Sequence, residues 1–369
     1  MNSRSRNETT EFFENEGVRV RSVENCLRCG RLGQRLYTGL RDRLFAAPGV
    51  WSLFRCRHCS LIWLNPQPIP EDVFKLYRTY PTHRSGSEPE RPLGFLQKAT
   101  RAIGAVTLGY DQLLAGPKYR WVGRVASLIT PWKDRALGPL MHLEATAGGK
   151  LLDVGCGSGG FLAAMRDLGW DAMGVEPDPE AARVAREERK LPVIAGTLEE
   201  AHLPADWFDA ISMYHVIEHV PDAVALIAEC RRILKPGGRM VMLTPNAESL
   251  GHKLFHRSWR GLEPPRHLCL FSVRSLARAT EEAGMSVSVS RTSSAVARFI
   301  WLVSQSIREG HPRYDLDFTK SSRRQAWLFW GLEEFLRFFW PSAGEEVLLL
   351  ARKPTHGAEK AKSHGTPRS

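Results

Sequence analysis

The sequence predicts an α/β fold built on a doubly wound, mostly parallel sheet of seven strands, with a small N-terminal ribbon module and helical additions. Three observations carry this. From Lys150 onward, short apolar runs alternate with amphipathic helices, the pattern of a parallel sheet covered on both faces. A glycine-rich turn, Gly155-Cys156-Gly157-Ser158-Gly159-Gly160, stands where the first apolar run meets its helix. Four of the seven cysteines form two C-x-x-C pairs, Cys26 with Cys29 and Cys56 with Cys59, a spacing suited to one tetrahedral metal.

Taken in order, residues 1–22 are polar and of mixed charge and read as a mobile arm. Residues 23–80 hold the paired cysteines and close on LNPQPIPEDVFKLYRTYP, whose prolines mark a linker into a short helix from about Glu71. Region 81–147 opens with a loop at 82–92 and continues with helix-spaced apolar residues. Breaks at Gly116-Pro117 and Thr130-Pro131 predict two or three helices there. The α/β domain spans 148–352, with strands at LLDVG, DAMGVE, PVIAG, FDAISMYH, RMVMLTP, MSVSVSR and EEVLLLAR. An aromatic-rich insertion at 292–344 separates the last two strands, and 353–369 reads as a disordered tail.

Composition fits two domains of an ordinary soluble protein: 369 residues, 43% hydrophobic, 25% charged, mean hydropathy -0.28. The formal charge is +11, and 39 of the 51 basic residues are arginine. That balance leaves nucleic acid, anionic lipid and phosphorylated substrates open as partners. Seven cysteines, an odd number, do not suit a disulfide framework. No apolar run has signal-peptide or membrane-spanning length, so a reducing cytoplasmic setting is expected.

The glycine turn has the form G-x-G-x-G. It lacks both the G-x-G-x-x-G of nicotinamide-type sites and a Walker lysine. Asp153 precedes it, and Glu176 ends the next strand, where an acid can accept hydrogen bonds from both hydroxyls of a ribose. With these residues the stretch 148–291, closed by 345–352, resembles the class I S-adenosylmethionine-dependent methyltransferases, which have a Rossmann-like sheet. The resemblance implies that Gly155, Cys156, Gly157 and Gly159 lie against the methionine part of the cofactor. It also places Asp153 by the amino group, Glu176 on the ribose and His215 toward the sulfur. Thr197 stands where the family usually has an acid near adenine, leaving Leu198 to cover the base and Glu199 to supply an acceptor. Glu218-His219 is read as a cap for the following helix.

After the fourth strand the chain reads Met213-Tyr214-His215-Val216, not the Asp/Asn-Pro-Pro-aromatic tetrad of enzymes that methylate nucleic-acid amino groups. The segment TPNAESLGHKLFHRSWRGLEPPRHLCLFS is polar, aromatic and proline-rich at the ligand-binding end of the sheet. Its His267-Leu268-x-x-Phe271-Ser272 resembles a histidine motif of small-molecule methyltransferases, which makes His267 the candidate base, against a structural or hydrogen-bonding role. Arg266 replaces the glutamate that precedes this histidine in sugar C-methyltransferases and suits a phosphate or carboxylate on the substrate. Trp259 and Arg260 could stack on and pair with that substrate, core packing being the other role for the tryptophan. The ribbon followed by a helix and this domain is similar to bacterial sugar C-methyltransferases, which implies a structural Zn2+ on Cys26, Cys29, Cys56 and Cys59. His58, inside the second pair, is expected to face solvent.

Residues 326–340, AWLFWGLEEFLRFFW, drawn as a helix place Glu333, Glu334 and Arg337 on one face and apolar residues around the rest. Such a helix must be covered, by its own domain, by a second copy in a homodimer, or by a peripheral membrane contact next to Arg323 and Arg324. Two functions remain. The first is S-adenosylmethionine-dependent C- or O-methylation of a sugar, nucleotide-sugar, lipid-linked or other small molecule. The second is RNA methylation, with the ribbon and basic surface holding nucleic acid.

Overall fold

The computed structural model describes residues 12–77, 94–314 and 318–355. The chain is ordered earlier than the sequence suggests. β1 (Phe12–Asn15) and β2 (Val18–Arg21) pair as an antiparallel hairpin, Val18 and Val20 are buried, and Arg19 binds Asp72 at 3.0 Å. Of the expected mobile arm, residues 1–11 lie outside the described residues. β3 (Gln34–Leu40), β4 (Trp51–Arg55) and β5 (Ile62–Asn65) form an antiparallel sheet, and β6 (Gln67–Pro68) returns to pair with β2. The two C-x-x-C turns are alike. Gly30 N–H donates to Cys26 O and Ser60 N–H to Cys56 O, with Gly30 and Ser60 both left-handed at φ 68° and 62°.

The predicted short helix is a 3-10 segment over Pro70–Leu76. The loop at 82–92 lies outside the described residues. The helical region holds α1 (Phe95–Leu108), α2 (Pro117–Ala126) and α3 (Thr130–Leu137). The last two carry proline in their first turn, where its missing N–H costs nothing. Ile103, Leu108 and Leu137 from these helices join Leu151, Leu162 and Trp170 in one core.

The α/β domain runs β7 (Lys150–Val154), α4 (Gly160–Asp167), β8 (Asp171–Glu176), α5 (Pro179–Glu187), β9 (Val193–Ala195), β10 (Phe208–Tyr214), α6 (Ala223–Ile233) and β11 (Leu234–Pro245). It continues with α7 (Leu250–Phe255), β12 (Cys269–Leu270), α8 (Val273–Glu282), β13 (Ser286–Ser293), α9 (Ala297–Arg308), α10 (Lys320–Phe339) and β14 (Glu346–Arg352). The seven-stranded sheet has the order β13-β14-β11-β10-β7-β8-β9, with β14 antiparallel to both neighbours and the remaining pairs parallel. Strand order reverses between β10 and β7, which opens a crevice at their carboxyl ends.

The ribbon is fused to this domain. β12 pairs antiparallel with β5, Cys269 opposite Trp63, and completes the ribbon's four-stranded sheet. Cys26, Cys56, Cys59 and Trp63 share a core with Phe271 and Leu276. α10 begins at Lys320, ahead of the segment read from the sequence, because Thr319 Oγ1 caps it by accepting from Ser322 N–H at 3.1 Å. Of the expected disordered tail, residues 356–369 lie outside the described residues, whereas Lys353 Nζ donates to Asp206 and the Leu234 carbonyl.

Candidate active site

The crevice between β7 and β10 is framed by the glycine turn. Gly155 has φ 71°, and a Cβ there would stand 2.5 Å from Val216 Cγ2, so the turn fits tightly under the loop after β10. Gly157 has φ 54° and nothing within 4 Å of the position its Cβ would take. One side of the turn is thus closed by packing and the other lies open for a ligand to approach the backbone. Glu176 Oε2 accepts the Gly157 N–H at 2.7 Å, and its Oε1 accepts the Asp178 N–H at 2.9 Å. Beside it, buried Asp153 accepts from Ser212 Oγ at 2.7 Å. Burial pushes the Asp153 carboxyl up to about 7 against the pull of that hydrogen bond, and the charge on Glu176 adds to the rise.

Three further residues expected at the cofactor have their side chains engaged within the protein. The Cys156 side chain packs into the sheet, so that a Cβ on Gly174 would stand 2.5 Å from its Sγ. Leu198 is buried in one core with Leu203 and Leu226. His215, at φ 54°, places Nδ1 2.9 Å from Glu218 Oε1 and Nε2 2.9 Å from Glu346 Oε1. Burial would lower the pKa of this imidazole, but the two carboxylates outweigh it and hold the group near 10. His215 is therefore an imidazolium lock between the loop and β14, with both ring nitrogens engaged. Glu218 is no helix cap either, because it accepts from Thr244 Oγ1 at 2.9 Å. The α6 cap is Asp222, whose Oδ1 accepts from Ala225 N–H at 2.9 Å.

On the other wall stand the residues after α7. Buried His267 donates Nδ1–H to the Gly261 carbonyl at 2.8 Å, which leaves Nε2 as the ring's acceptor. That nitrogen lies 3.4 Å from Glu263 Oε2 and 4.0 Å from Glu218 Oε1. Burial lowers the His267 pKa to about 4, more than the nearby carboxylates raise it. His219 donates Nδ1–H to the Arg266 carbonyl at 3.0 Å, has Tyr77 Oη at 3.1 Å, and meets the His267 ring edge-on at 4.8 Å. The charges of Glu263, Glu218 and Glu176 all bear on Tyr77.

The three expected substrate contacts are structural. Arg266 is buried and donates to Asp42 Oδ2 at 2.8 Å, Glu263 Oε1 at 3.1 Å and the Leu76 carbonyl at 3.0 Å. Arg260 also binds Glu263, so two arginines hold one buried carboxylate at the seam between ribbon and α/β domain. Trp259 stacks on His252 at 4.7 Å and donates Nε1–H to Glu345 Oε2 at 2.9 Å. The sequence showed the arginines without their acids, because Asp42 lies far away in the chain and Glu263 carries no motif. Glu218, His219, Glu263 and Tyr77 were missed as site residues. Only the Glu218-His219 pair had a local signal, and that was read as a cap.

Among the described residues two groups could hold a metal. Cys26, Cys29, Cys56 and Cys59 bring their Sγ atoms within 4.8 Å of one another, with Cys26 to Cys59 and Cys29 to Cys56 both at 3.4 Å. His58 is exposed and outside this group, as expected. Glu218, His219 and His267 form the second group.

Residues 124–288 match a family model described as a methyltransferase domain. The ubiquinone biosynthesis O-methyltransferase of Xanthomonas oryzae pv. oryzae (strain PXO99A) is 38% identical over 143 residues, covering 33% of this chain and 59% of that protein. Its counterpart in Xylella fastidiosa (strain M23) is 30% identical over 159 residues, covering 37% of this chain and 63% of that one. The chain thus spans about six-tenths of the curated relatives it matches. Among solved structures, the [4+2]-cyclase SpnF aligns with TM-score 0.43 and 22% identity, over 60% of this chain and 81% of its own. A SAM-dependent methyltransferase from Archaeoglobus fulgidus aligns with TM-score 0.40 and 18% identity, over 60% and 92%. The α/β part of the chain is thus similar in sequence to methyltransferase domains.

Proposed function

We propose that the protein transfers the methyl group of S-adenosylmethionine to an oxygen of a small molecule. The observation that carries this is the open Gly157 turn with Glu176 pinned to its backbone and Asp153 buried alongside. The donor, when bound, supplies a methyl carbon already activated on sulfonium. Asp153 would hold its amino group and Glu176 its ribose. The oxygen acceptor follows from the names of the relatives, and saccharide and lipid-linked alcohols are the finer classes to test. RNA has no such support from the names of the relatives, and Arg260 and Arg266, the two arginines expected at the substrate, are buried.

On transfer to an acceptor hydroxyl, His267 Nε2 would take the proton that the hydroxyl gives up. That atom carries its lone pair throughout the neutral range, because burial keeps the ring unprotonated above about 4. The imidazolium formed would be met by Glu263 and Glu218. Zn2+ would close the four-cysteine shell and serve structure only.

The test is incubation with labelled donor and a panel of phenols, nucleotide-sugars, extracted lipids and RNA, alongside calorimetric donor binding. Glu176→Ala should weaken donor binding on the order of 100-fold through loss of charge-assisted hydrogen bonds. His267→Ala should leave donor affinity intact and lower kcat by roughly 10²- to 10⁴-fold. Donor binding that survives Asp153→Ala and Glu176→Ala unchanged would sink the proposal.

A further inference from the structure

α10 is built inside out. Glu333 is buried, Glu334 binds Ser294 and Arg337, and Arg337 reaches Asp134 of α3 at 3.4 Å and the Thr292 carbonyl at 2.7 Å. The charged face is the one turned to the protein. Facing outward are Trp327, Leu328, Leu332, Phe335, Phe338 and Phe339, with Phe338 84% exposed. A helix so disposed gains free energy when its outer face is covered.

The neighbouring corner repeats the pattern. Asp134 accepts from Arg291 at 2.6 Å as well as from Arg337, which binds α3 to β13 and α10. At the α2–α3 junction Trp121, Val125, Leu128, Ile129 and Trp132 are exposed, Leu128 at 82%. Cations fringe both apolar faces. Arg298 lies 3.8 Å over the Trp327 ring, and the charges that bear on it, Arg135 of α3 and Arg323 of α10, are both positive. Arg124 lies 5.5 Å over Trp121, and Lys320 and Arg324 are exposed on the first turns of α10. The acids of α3 and α10, Asp134, Glu333 and Glu334, are all bonded within the protein.

We propose that the α2–α3 corner and the outer face of α10 form one docking surface for an anionic lipid bilayer. The aromatic side chains would enter the headgroup boundary, and Arg135, Arg298 and Arg323 would face lipid phosphates. Tryptophan beside arginine is the composition of an interfacial belt. A second copy meeting this face about a twofold axis would set the arginine fringe against itself, whereas an anionic bilayer satisfies the apolar face and the charge together. No described helix is long and apolar enough to cross a membrane, so the contact lies along the surface.

The test is flotation of the full chain with phosphatidylcholine vesicles, with and without phosphatidylglycerol. The protein should float with the anionic vesicles and be released by high salt. Each arginine of the fringe changed to glutamine should weaken partitioning roughly fivefold. The triple variant Phe335→Ser, Phe338→Ser and Phe339→Ser, and separately Trp121→Ser with Leu128→Ser, should stop floating while keeping wild-type donor affinity as evidence of folding. Flotation unaffected by these variants, or absent in the wild type, overturns the proposal. So does a wild-type dimer that the triple variant disrupts, which would assign the face to a second copy.

Discussion

Donor binding should titrate with Asp153, and in an unusual direction for an aspartate at neutral pH. Burial outweighs the Ser212 hydrogen bond and lifts its carboxyl from 3.8 to about 7, so that Asp153 is mostly protonated at pH 6. An ammonium group on the ligand needs the ionised form. With a pKa of about 7, the ionised fraction is roughly 1% at pH 5, 9% at pH 6 and 50% at pH 7. Affinity should therefore rise about tenfold between pH 5 and 6 and about fivefold more by pH 7. It should fall again above about 8, where an α-amino group loses its proton. In the free protein the raised pKa means that Asp153 contributes stability below about 4 that is lost as pH rises through about 7. Binding of the ammonium offsets that loss. The assay is calorimetry in several buffers, with circular dichroism confirming the fold at each pH. Asp153→Asn should bind weakly and lack the acid limb. A wild-type affinity that is flat from pH 5 to 7, or an Asn variant with the same limb, would refute the electrostatic assignment.

Three further outcomes follow from buried groups. Glu333 has an orphaned Oε2, and burial together with Glu345 raises its pKa well above the usual carboxylate range. Glu333→Gln should therefore stabilise the protein at pH 8 by about 1–3 kcal/mol in urea melts, and lose that advantage at acid pH, where the native glutamate is protonated. Removing His215 leaves Glu218 and Glu346 facing each other without their cation. His215→Ala should cost about 3–5 kcal/mol at neutral pH. The wild-type contribution of this lock, complete below about 6.5, should fade as pH climbs through about 10, visible as an alkaline drop in Tm. Metal analysis should find one Zn2+ per chain on the four thiols, and Cys56→Ser or a strong chelator should lower Tm by many degrees.

The parts of the fold legible in the sequence are those with a local period. Strand-helix alternation predicted all seven strands of the main sheet, and the glycine turn located the crevice, because backbone geometry there requires glycine within a few consecutive residues. The wall around His267 was less legible, because several of its polar groups are also held by partners remote in the chain. Arg266 reads as a substrate ligand until Asp42 and Glu263 are seen to saturate it, and His215 reads as a cofactor contact until Glu346 closes its second nitrogen. α10 shows the same limit for a surface. The period established that one side is charged and the rest apolar, but the partners that hold the charged side to the protein, among them Asp134, Thr292 and Ser294, lie on other elements.

If His267 is the base proposed above, the seam between ribbon and α/β domain gives the N-terminal module a part in the chemistry. β12 is held in register by β5, and His267 stands two residues before β12. Arg266, adjacent to His267, is fixed by Asp42 and the Leu76 carbonyl, both outside the α/β domain, and Tyr77 sits against His219. On the donor side, the hydrogen bonds described for Asp153 and Glu176 come instead from Ser212 of β10 and from the turns after β7 and β8. A ribbon loosened by loss of metal would thus disturb the position of His267 before it disturbed the glycine turn. Donor affinity should survive a metal loss that already lowers turnover and raises the acceptor KM. Parallel loss of both would show that the two walls fold as one unit.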